Sequence, residues 1–467
     1  MAEQFDVVII GGGPGGYAAA LYGASAGLSI AMIERDKVGG TCLHRGCVPA
    51  KELLETAHVF RTVSGAGAFG VHAGEAPTVD FGTTMVRKQQ VVDGLWKGLT
   101  GLLKARKVTT LAGTGTYRGG GSVLVTAEDG STTELEGANV VLASGSVART
   151  IPGFEVDGRF VLTSDEVLSM PDLPATAAVI GGGAIGCEFA SMMSDLGVKV
   201  TILEGLPKIL PGCDADVAAV VLKSFKKRGI DVRTGVKVTG HTPGDGSTRI
   251  AIEGSDDLEV ERVVVSVGRR PLSESLGLDG TGVEVDERGF VKVDGTCRTT
   301  VDGVWAIGDL VATPQLAHVG FIEGINAIKD ILGEDPAPVE YDKVPWAIYC
   351  QPEVSFAGHS EDSAKEAGYD VVVSKHQFRG NGRALIVGEA EGLVKVIAEK
   401  QADGTGGTIL GVHMVGPWVT EQLGQGYLAV NWGATVDEVA SLIQPHPTLS
   451  ELFGETVLSL TGRSLHG

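Results

Sequence analysis

Two cysteines, Cys42 and Cys47, lie close together in Gly39-Gly40-Thr41-Cys42-Leu43-His44-Arg45-Gly46-Cys47-Val48-Pro49-Ala50-Lys51. They come soon after a glycine-rich turn, Gly11-Gly12-Gly13-Pro14-Gly15-Gly16. A thiol pair so placed points to a redox disulfide laid against a bound dinucleotide, and so to electron transfer. The competing reading is two structural cysteines that happen to be neighbours. Pro49 marks a helix start beside Cys47, and a thiol at a helix N-terminus is more acidic because the dipole favours the thiolate. Far along the chain, His446-Pro447-Thr448-Leu449-Ser450-Glu451 offers an imidazole that titrates where thiol–disulfide exchange needs a base, with a carboxylate to orient it. The same residues carry a second reading, because Thr448-x-x-Glu451 is also a capping box opening a helix over 448–460. Spacing alone leaves base and cap equal.

The elements that must position these groups come as one unit used twice. Residues 7–34 read VVIIGGGPGGYAAALYGASAGLSIAMIE, and residues 177–204 read AAVIGGGAIGCEFASMMSDLGVKVTILE. One constant offset aligns Gly11 with Gly181, Gly13 with Gly183, Gly16 with Gly186 and Glu34 with Glu204. Each copy reads as apolar strand, glycine turn, small-residue helix and second strand ending in an acid. The first glycine makes the tight turn, the second admits a pyrophosphate to the helix N-terminus, and the third lets helix pack on strand. The terminal glutamate suits the two hydroxyls of an adenosine ribose. Two full copies predict two dinucleotide sites; the bland alternative is a duplication that kept the fold and lost one ligand. Glu204 is followed by Gly205-Leu206-Pro207 rather than by arginines, which favours NAD over NADP.

The 467 residues leave room for about three domains of ordinary size. A formal charge of −20 repels phosphate backbones and argues against a nucleic-acid partner. No apolar run is long enough to span a bilayer, and Phe5-Asp6-Val7-Val8-Ile9-Ile10 enters a strand without a basic leader, so a cytoplasmic protein is expected, with no membrane partner. Cys187, Cys213, Cys297 and Cys350 stand singly, read as small core residues, and form no metal cluster. Helices are expected near 50–62 and 83–106, then a β-rich stretch ending at Ala143-Ser144-Gly145, and a linker around Ile151-Pro152-Gly153 and Pro171-Asp172-Leu173-Pro174. Val304-Trp305-Ala306-Ile307-Gly308-Asp309 reads as a buried strand. From Pro345 onward come strands over Gly392–Glu399 and Ile409–Gly416, joined by a hairpin loop at Asp403-Gly404-Thr405-Gly406-Gly407, with helices after them.

GGTCLHRGCVPAK, GGGAIGCEFA, VGRRP, VWAIGDL, LAHVGFIEG and HPTLSE, in this order, resemble the class I flavoprotein disulfide reductases over essentially the whole chain. The likeness is strongest to the branch that oxidises dihydrolipoamide with NAD. It implies an α/β fold with two Rossmann-like dinucleotide-binding domains, for FAD and NAD, plus a C-terminal α+β dimerisation domain. The implied divisions are 1–149 (FAD, first part), 150–271 (NAD), 272–344 (FAD and central, second part) and 345–467. The FAD residues it implies are Gly11, Gly13, Gly16, Glu34, Gly40, Thr41, Lys51, Gly115, Ser144, Gly145, Asp309 and Ala317. Those for NAD are Gly181, Gly183, Ala184, Ile185, Gly186, Glu204, Val238 and Gly268. By the same resemblance Cys47 faces the flavin and Cys42 exchanges with substrate. Lys51 pairs with Glu188 beside the flavin ring, and His446 with Glu451 serves the disulfide of the other subunit of a homodimer. The implied partner is a lipoyl-bearing E2 subunit or a protein like the glycine-cleavage H protein.

Departures from the commoner family pattern are Ala50 for Ser, Ser144 within Ala143-Ser144-Gly145 for Thr, and Ala317-His318-Val319-Gly320 for Ala-His-Lys-Ala. All keep small groups near the flavin or alter only its polar surroundings. Related NAD(P)H-dependent disulfide or quinone reductases fit less well. Ser464-Leu465-His466-Gly467 has no cysteine pair, both redox cysteines are present, and Glu204 opposes NADPH. A flavoprotein scaffold without catalysis is the reading from another class.

Overall fold

Val7, Val8, Ile9 and Ile10 are all buried, as expected for a parallel strand covered on both faces. The computed structural model describes residues 2–466 except Ala73 and Glu75. In it the strand Glu3–Ile10 pairs in parallel with Ile30–Glu34 on one side and Thr132–Leu142 on the other. Thr109–Ala112 extends the first side. On the second side, Val140–Leu142 pairs in parallel with Val304–Ala306, a strand that returns from beyond the whole second sheet. The earlier part of Thr132–Leu142 runs antiparallel to Ser122–Thr126, which pairs in turn with Thr114–Gly119.

The second sheet repeats the plan. Its five parallel strands run in the order Asp231–Thr234, Lys199–Glu204, Thr176–Ile180, Arg262–Val265, Val161–Leu162. In both sheets the strand before the glycine turn sits where the winding reverses, which opens a crevice at its C-terminal end. A three-stranded antiparallel meander, Val238–Pro243, Thr248–Ile252 and Leu258–Val260, flanks the second sheet. The expected helices are present: Cys47–Gly65, which starts at the cysteine itself, and Phe81–Ala105, capped by Asp80 accepting from Thr83 N at 3.0 Å.

The last sheet is antiparallel, ordered Trp346–Ile348, Glu353–Gly358, Gly406–Gly416, Leu393–Lys400, Val371–Gln377. The glycine-rich stretch near Asp403 is its hairpin tip, closed by Gln401 N donating to Thr405 O at 2.8 Å. Helices Gly424–Trp432, Val436–Ala440 and Glu451–Ser459 pack on this sheet, and helix Ala215–Lys227 from the second sheet's unit also touches its strand Gly406–Gly416. Its two central strands are therefore almost wholly buried.

His413 lies inside this layer. Its ring stacks on Phe356 with centroids 5.4 Å apart, Nε2 meets His359 O at 2.8 Å, and Nδ1 is buried without a partner. Burial depresses its pKa to about 4. A depressed histidine gives stability that is complete above its unfolded pKa, near 6.5, and is lost as pH falls toward the folded value. Between pH 6.5 and 4 the group is expected to withdraw about 3 kcal/mol. His413→Gln should flatten the melting temperature against pH across that window; an unchanged slope would show that His413 does not govern it.

Candidate active site

The two glycine loops share one geometry. Gly11 has φ +113°, and a Cβ on it would lie 2.1 Å from Ala143 O. A Cβ on Gly16 would lie 1.9 Å from Gly11 O, so both positions are closed to any side chain by the protein's own packing. Gly13 is different, because a Cβ there would meet nothing within 4 Å. The open space lies at the N-terminus of helix Pro14–Ser25, where unpaired amides favour an anionic pyrophosphate. The second loop repeats this pattern: Gly181 is blocked by Ser266 O, Gly186 by Gly181 O, and Gly183 is open before helix Ala184–Asp195. Glu34 accepts from Gly12 N at 2.8 Å and from Asp36 N at 2.9 Å. Glu204 accepts from Gly182 N at 2.5 Å and from Leu206 N at 2.6 Å. Each carboxylate is fixed by backbone amides and keeps lone pairs for further donors.

One cleft of about 320 Å³ gathers most of the first set of residues, within the usual range for a small-molecule site. It is lined by Gly11, Gly13, Glu34, Gly40, Thr41, Gly115, Ser144, Gly145, Asp309 and Ala317, and also by Cys42, Cys47, Lys51 and Glu188. Gly16 lies beneath it as packing. Of the second set, Ala184 and Ile185 reach this cleft, whereas Gly181, Gly183, Gly186, Glu204, Val238 and Gly268 do not line it. Val238 opens the antiparallel meander, and Gly268 takes φ +101° just before strand Arg269–Pro271.

Cys42 sits in the short helix Gly40–Arg45 and Cys47 is the first residue of Cys47–Gly65. They are joined as a disulfide with Cα atoms 4.6 Å apart. One turn on, Lys51 Nζ donates to both carboxylate oxygens of Glu188, each at 2.9 Å. Glu188 is buried and also accepts from Tyr349 N at 2.9 Å, while the lysine lies 4.9 Å from the Tyr349 ring centre. The pair therefore links the disulfide helix, the second glycine helix and the last sheet. The four other cysteines are buried and reduced, and burial drives their thiols up, Cys213 to about 12.

Sequence reasoning passed over several groups around Asp309. Ser146 donates to Asp309 Oδ2 at 2.5 Å, and Arg269 donates to Ser146 Oγ at 2.7 Å and to Ser146 O at 2.8 Å. Arg269 Nε lies 3.5 Å from Asp309 Oδ2. Behind the neighbouring residue, fully buried Glu323 accepts from Gly308 N at 2.6 Å and from Tyr341 Oη at 2.9 Å, and burial raises its pKa. Arg269 and Glu323 lie within motifs already noted, VGRRP and LAHVGFIEG, but only the fold shows what they hold.

His446 and Glu451 stand apart from the cleft. His446 Nδ1 lies 3.0 Å from Glu451 Oε2, with the imidazole 78% exposed and the carboxylate largely covered. Glu451 N also donates to Thr448 Oγ1 at 3.2 Å, and Thr448 N to Glu451 Oε2 at 3.4 Å. His446 and Thr448 thus share one carboxylate, but Glu451 is the first helical residue, after Ser450, so the expected box closes the turn before the helix and does not cap the helix itself. The helix proper runs Glu451–Ser459, shorter than the expected 448–460, because the box closes the turn ahead of it. Asn381, absent from the sequence reading, donates to Thr448 O at 2.9 Å and to Glu451 Oε1 at 3.4 Å.

Residues 5–324 match the model of the pyridine nucleotide-disulphide oxidoreductases, and residues 344–457 match the dimerisation domain of the same proteins. The chain belongs to this family. Its oxidoreductase chemistry unites the two features already seen, a dinucleotide loop and a disulfide in one cleft. Among curated relatives, dihydrolipoyl dehydrogenase of Bacillus subtilis is 42% identical, with 100% of each chain covered. That of Zymomonas mobilis is 39% identical, also over 100% of both. Among solved structures, LpdA from Mycobacterium tuberculosis gives a TM-score of 0.91 at 26% identity, covering 98% of this chain and 100% of that one. The HOCl-induced flavoprotein disulfide reductase RclA from Escherichia coli gives 0.86 at 26% identity, covering 97% and 99%. Among the described residues, no helix of this family member is long and apolar enough to cross a membrane.

Proposed function

We propose that the chain works as a dihydrolipoyl dehydrogenase, oxidising a lipoyl dithiol and reducing NAD⁺ with FAD as the bound intermediary. The observation that carries this is the Cys42–Cys47 disulfide lining the same cleft as the open Gly13, with Cys47 at a helix N-terminus. Full-length similarity to curated dihydrolipoyl dehydrogenases supports the substrate. The first glycine loop, Glu34 and Asp309 would hold FAD, and the second loop with Glu204 would hold NAD. FAD supplies, when bound, the two-electron step between a thiolate and a nicotinamide.

The chain's own groups carry the rest. His446 of one subunit accepts a proton from the substrate dithiol near its partner's disulfide. The new thiolate attacks Cys42 Sγ, the Sγ–Sγ bond breaks, and Cys47 leaves as a thiolate that its helix dipole favours. The second substrate thiol then attacks the first sulfur and passes its proton to the departing Cys42, so that the cyclic disulfide forms, Cys42 leaves as a thiol and the first proton stays on His446. Glu451 orients the imidazole, and Lys51, fixed by Glu188, places a positive charge on the cleft wall beside Cys47.

A homodimer fits this assignment, since His446 stands away from the cleft of its own chain and is flanked by apolar surface. Close by in sequence, Ile443 is 98% exposed and Leu442 is also exposed, apolar surface suited to a second copy. We divide the chain as 1–149, 150–271, 272–344 and 345–467, place it in the cytoplasm, and assign it a lipoyl-bearing protein as partner.

Two reactions run side by side test the reading: NAD⁺ reduction by dihydrolipoamide, and glutathione disulfide reduction by NADPH. The first should exceed the second by at least about 10²-fold. The reverse ranking, or a protein that stays yellow when mixed with dihydrolipoamide, would overturn it.

A further inference from the structure

A buried Lys395–Asp214 pair, reached also by the partly exposed Asp216 and Glu361, connects the last sheet to the second glycine loop. Lys395, in strand Leu393–Lys400, is 2% exposed, and its Nζ donates to Asp214 at 2.9 Å, Asp216 at 2.8 Å and Glu361 at 2.9 Å. Asp214 is equally buried; it caps helix Ala215–Lys227 by accepting from Asp216 N at 3.0 Å, and accepts from Glu361 N at 3.2 Å. The chain running back from Asp214 lies directly on the second loop. Leu210, at φ +50°, donates its N–H to Gly182 O at 2.7 Å, and Leu206 N donates to Glu204 Oε1. A Cβ on Gly182 would sit 2.7 Å from Ile209 Cγ2, so residues 205–213 form one wall of that loop.

We propose that Lys395 is a positioning residue for the nicotinamide dinucleotide: by holding Asp214 it sets residues 205–213 against Gly182 and Glu204, and so shapes the ribose edge of the site. This rests on the reading of the second loop as the NAD site. The three carboxylates do not depend on Lys395 equally. Asp216 has a second cation in Lys375 at 3.2 Å, and Glu361 has one in Lys365 at 2.7 Å. Among the described residues, no other cation lies within ion-pair distance of Asp214. Without the lysine, Asp214 keeps its two backbone amide donors but becomes a buried charge with no cation in reach, the costly outcome for a broken ion pair. It relieves that cost by moving toward water and taking 205–213 with it. Cys42, Cys47 and the first loop are untouched by this movement, so the dithiol side of the reaction should not feel it.

The holoenzyme tests this through calorimetric NAD⁺ binding and the KM values of both substrates. Lys395→Met should weaken NAD⁺ binding about tenfold while the dihydrolipoamide KM stays within about twofold. Adding Asp214→Asn should return NAD⁺ affinity to within about threefold of the parent, whereas adding Asp216→Asn should not. A folded Lys395→Met enzyme with parental NAD⁺ affinity overturns the proposal, as does equal loss for both substrates or rescue by both asparagines. Should the single variant fail to fold, weak NAD⁺ binding by a folded Lys395→Met/Asp214→Asn double overturns it equally. If the parent enzyme itself binds no NAD⁺, it is the assignment of the second loop that fails.

Discussion

Cys42→Ser and Cys47→Ser are each expected to cut dihydrolipoamide-driven NAD⁺ reduction by at least about 10⁴-fold, because either change removes a sulfur through which the electron pair must pass. The two variants should differ in colour. With Cys42 gone, Cys47 remains as a free thiol at the start of helix Cys47–Gly65, where the dipole favours its thiolate. A thiolate against oxidised flavin absorbs at long wavelength, so the Cys42→Ser holoenzyme should show that band without any reductant. Cys47→Ser should remain yellow. The opposite pairing of colour and variant would exchange the jobs assigned to the two sulfurs, and no loss in either variant would remove the disulfide from the reaction.

His446→Gln separates dithiol chemistry from the rest of the cycle. A positioned general base contributes roughly 10²–10⁴-fold, and the loss of dihydrolipoamide oxidation should fall in that range. NADH-driven reduction of a dye bypasses the disulfide and should stay within about twofold of the parent. Because Glu451 keeps its bonds to Thr448 in this variant, the helix start is preserved and the melting temperature should hardly move. Equal loss in both assays would mean that the histidine supports the fold or the cofactor and not proton transfer.

What could be read from the chain and what could not follow from how local the physics is. The glycine loops were legible because part of their constraint acts over a few residues: Gly16 is fixed by Gly11, and Gly186 by Gly181, although Gly11 and Gly181 are themselves closed by the distant Ala143 and Ser266. The strand with Trp305 and the hairpin near Asp403 were legible for the same reason. His446 with Glu451 was only half legible, since a six-residue motif admitted two readings and nothing local says that one carboxylate meets both His446 and Thr448. Lys395 was invisible: its partners lie in segments far off in sequence, and a lysine in an apolar strand gives no sign of which carboxylates will reach it. Asn381, Arg269 and Tyr349 share this property, since each bonds a residue that only the folded topology brings near.

The sameness of the two glycine loops carries a cost for selectivity. Each presents an open middle glycine, a helix N-terminus and a glutamate clamped by two amides, and in the proposed assignment each receives the adenosine and pyrophosphate half that both dinucleotides share. Neither loop can tell the two ligands apart by that half. Sorting must come from the opposite end of each molecule: the first loop shares its cleft with the disulfide and Asp309, whereas the second loop's helix reaches that cleft from its own side through Ala184, Ile185 and Glu188.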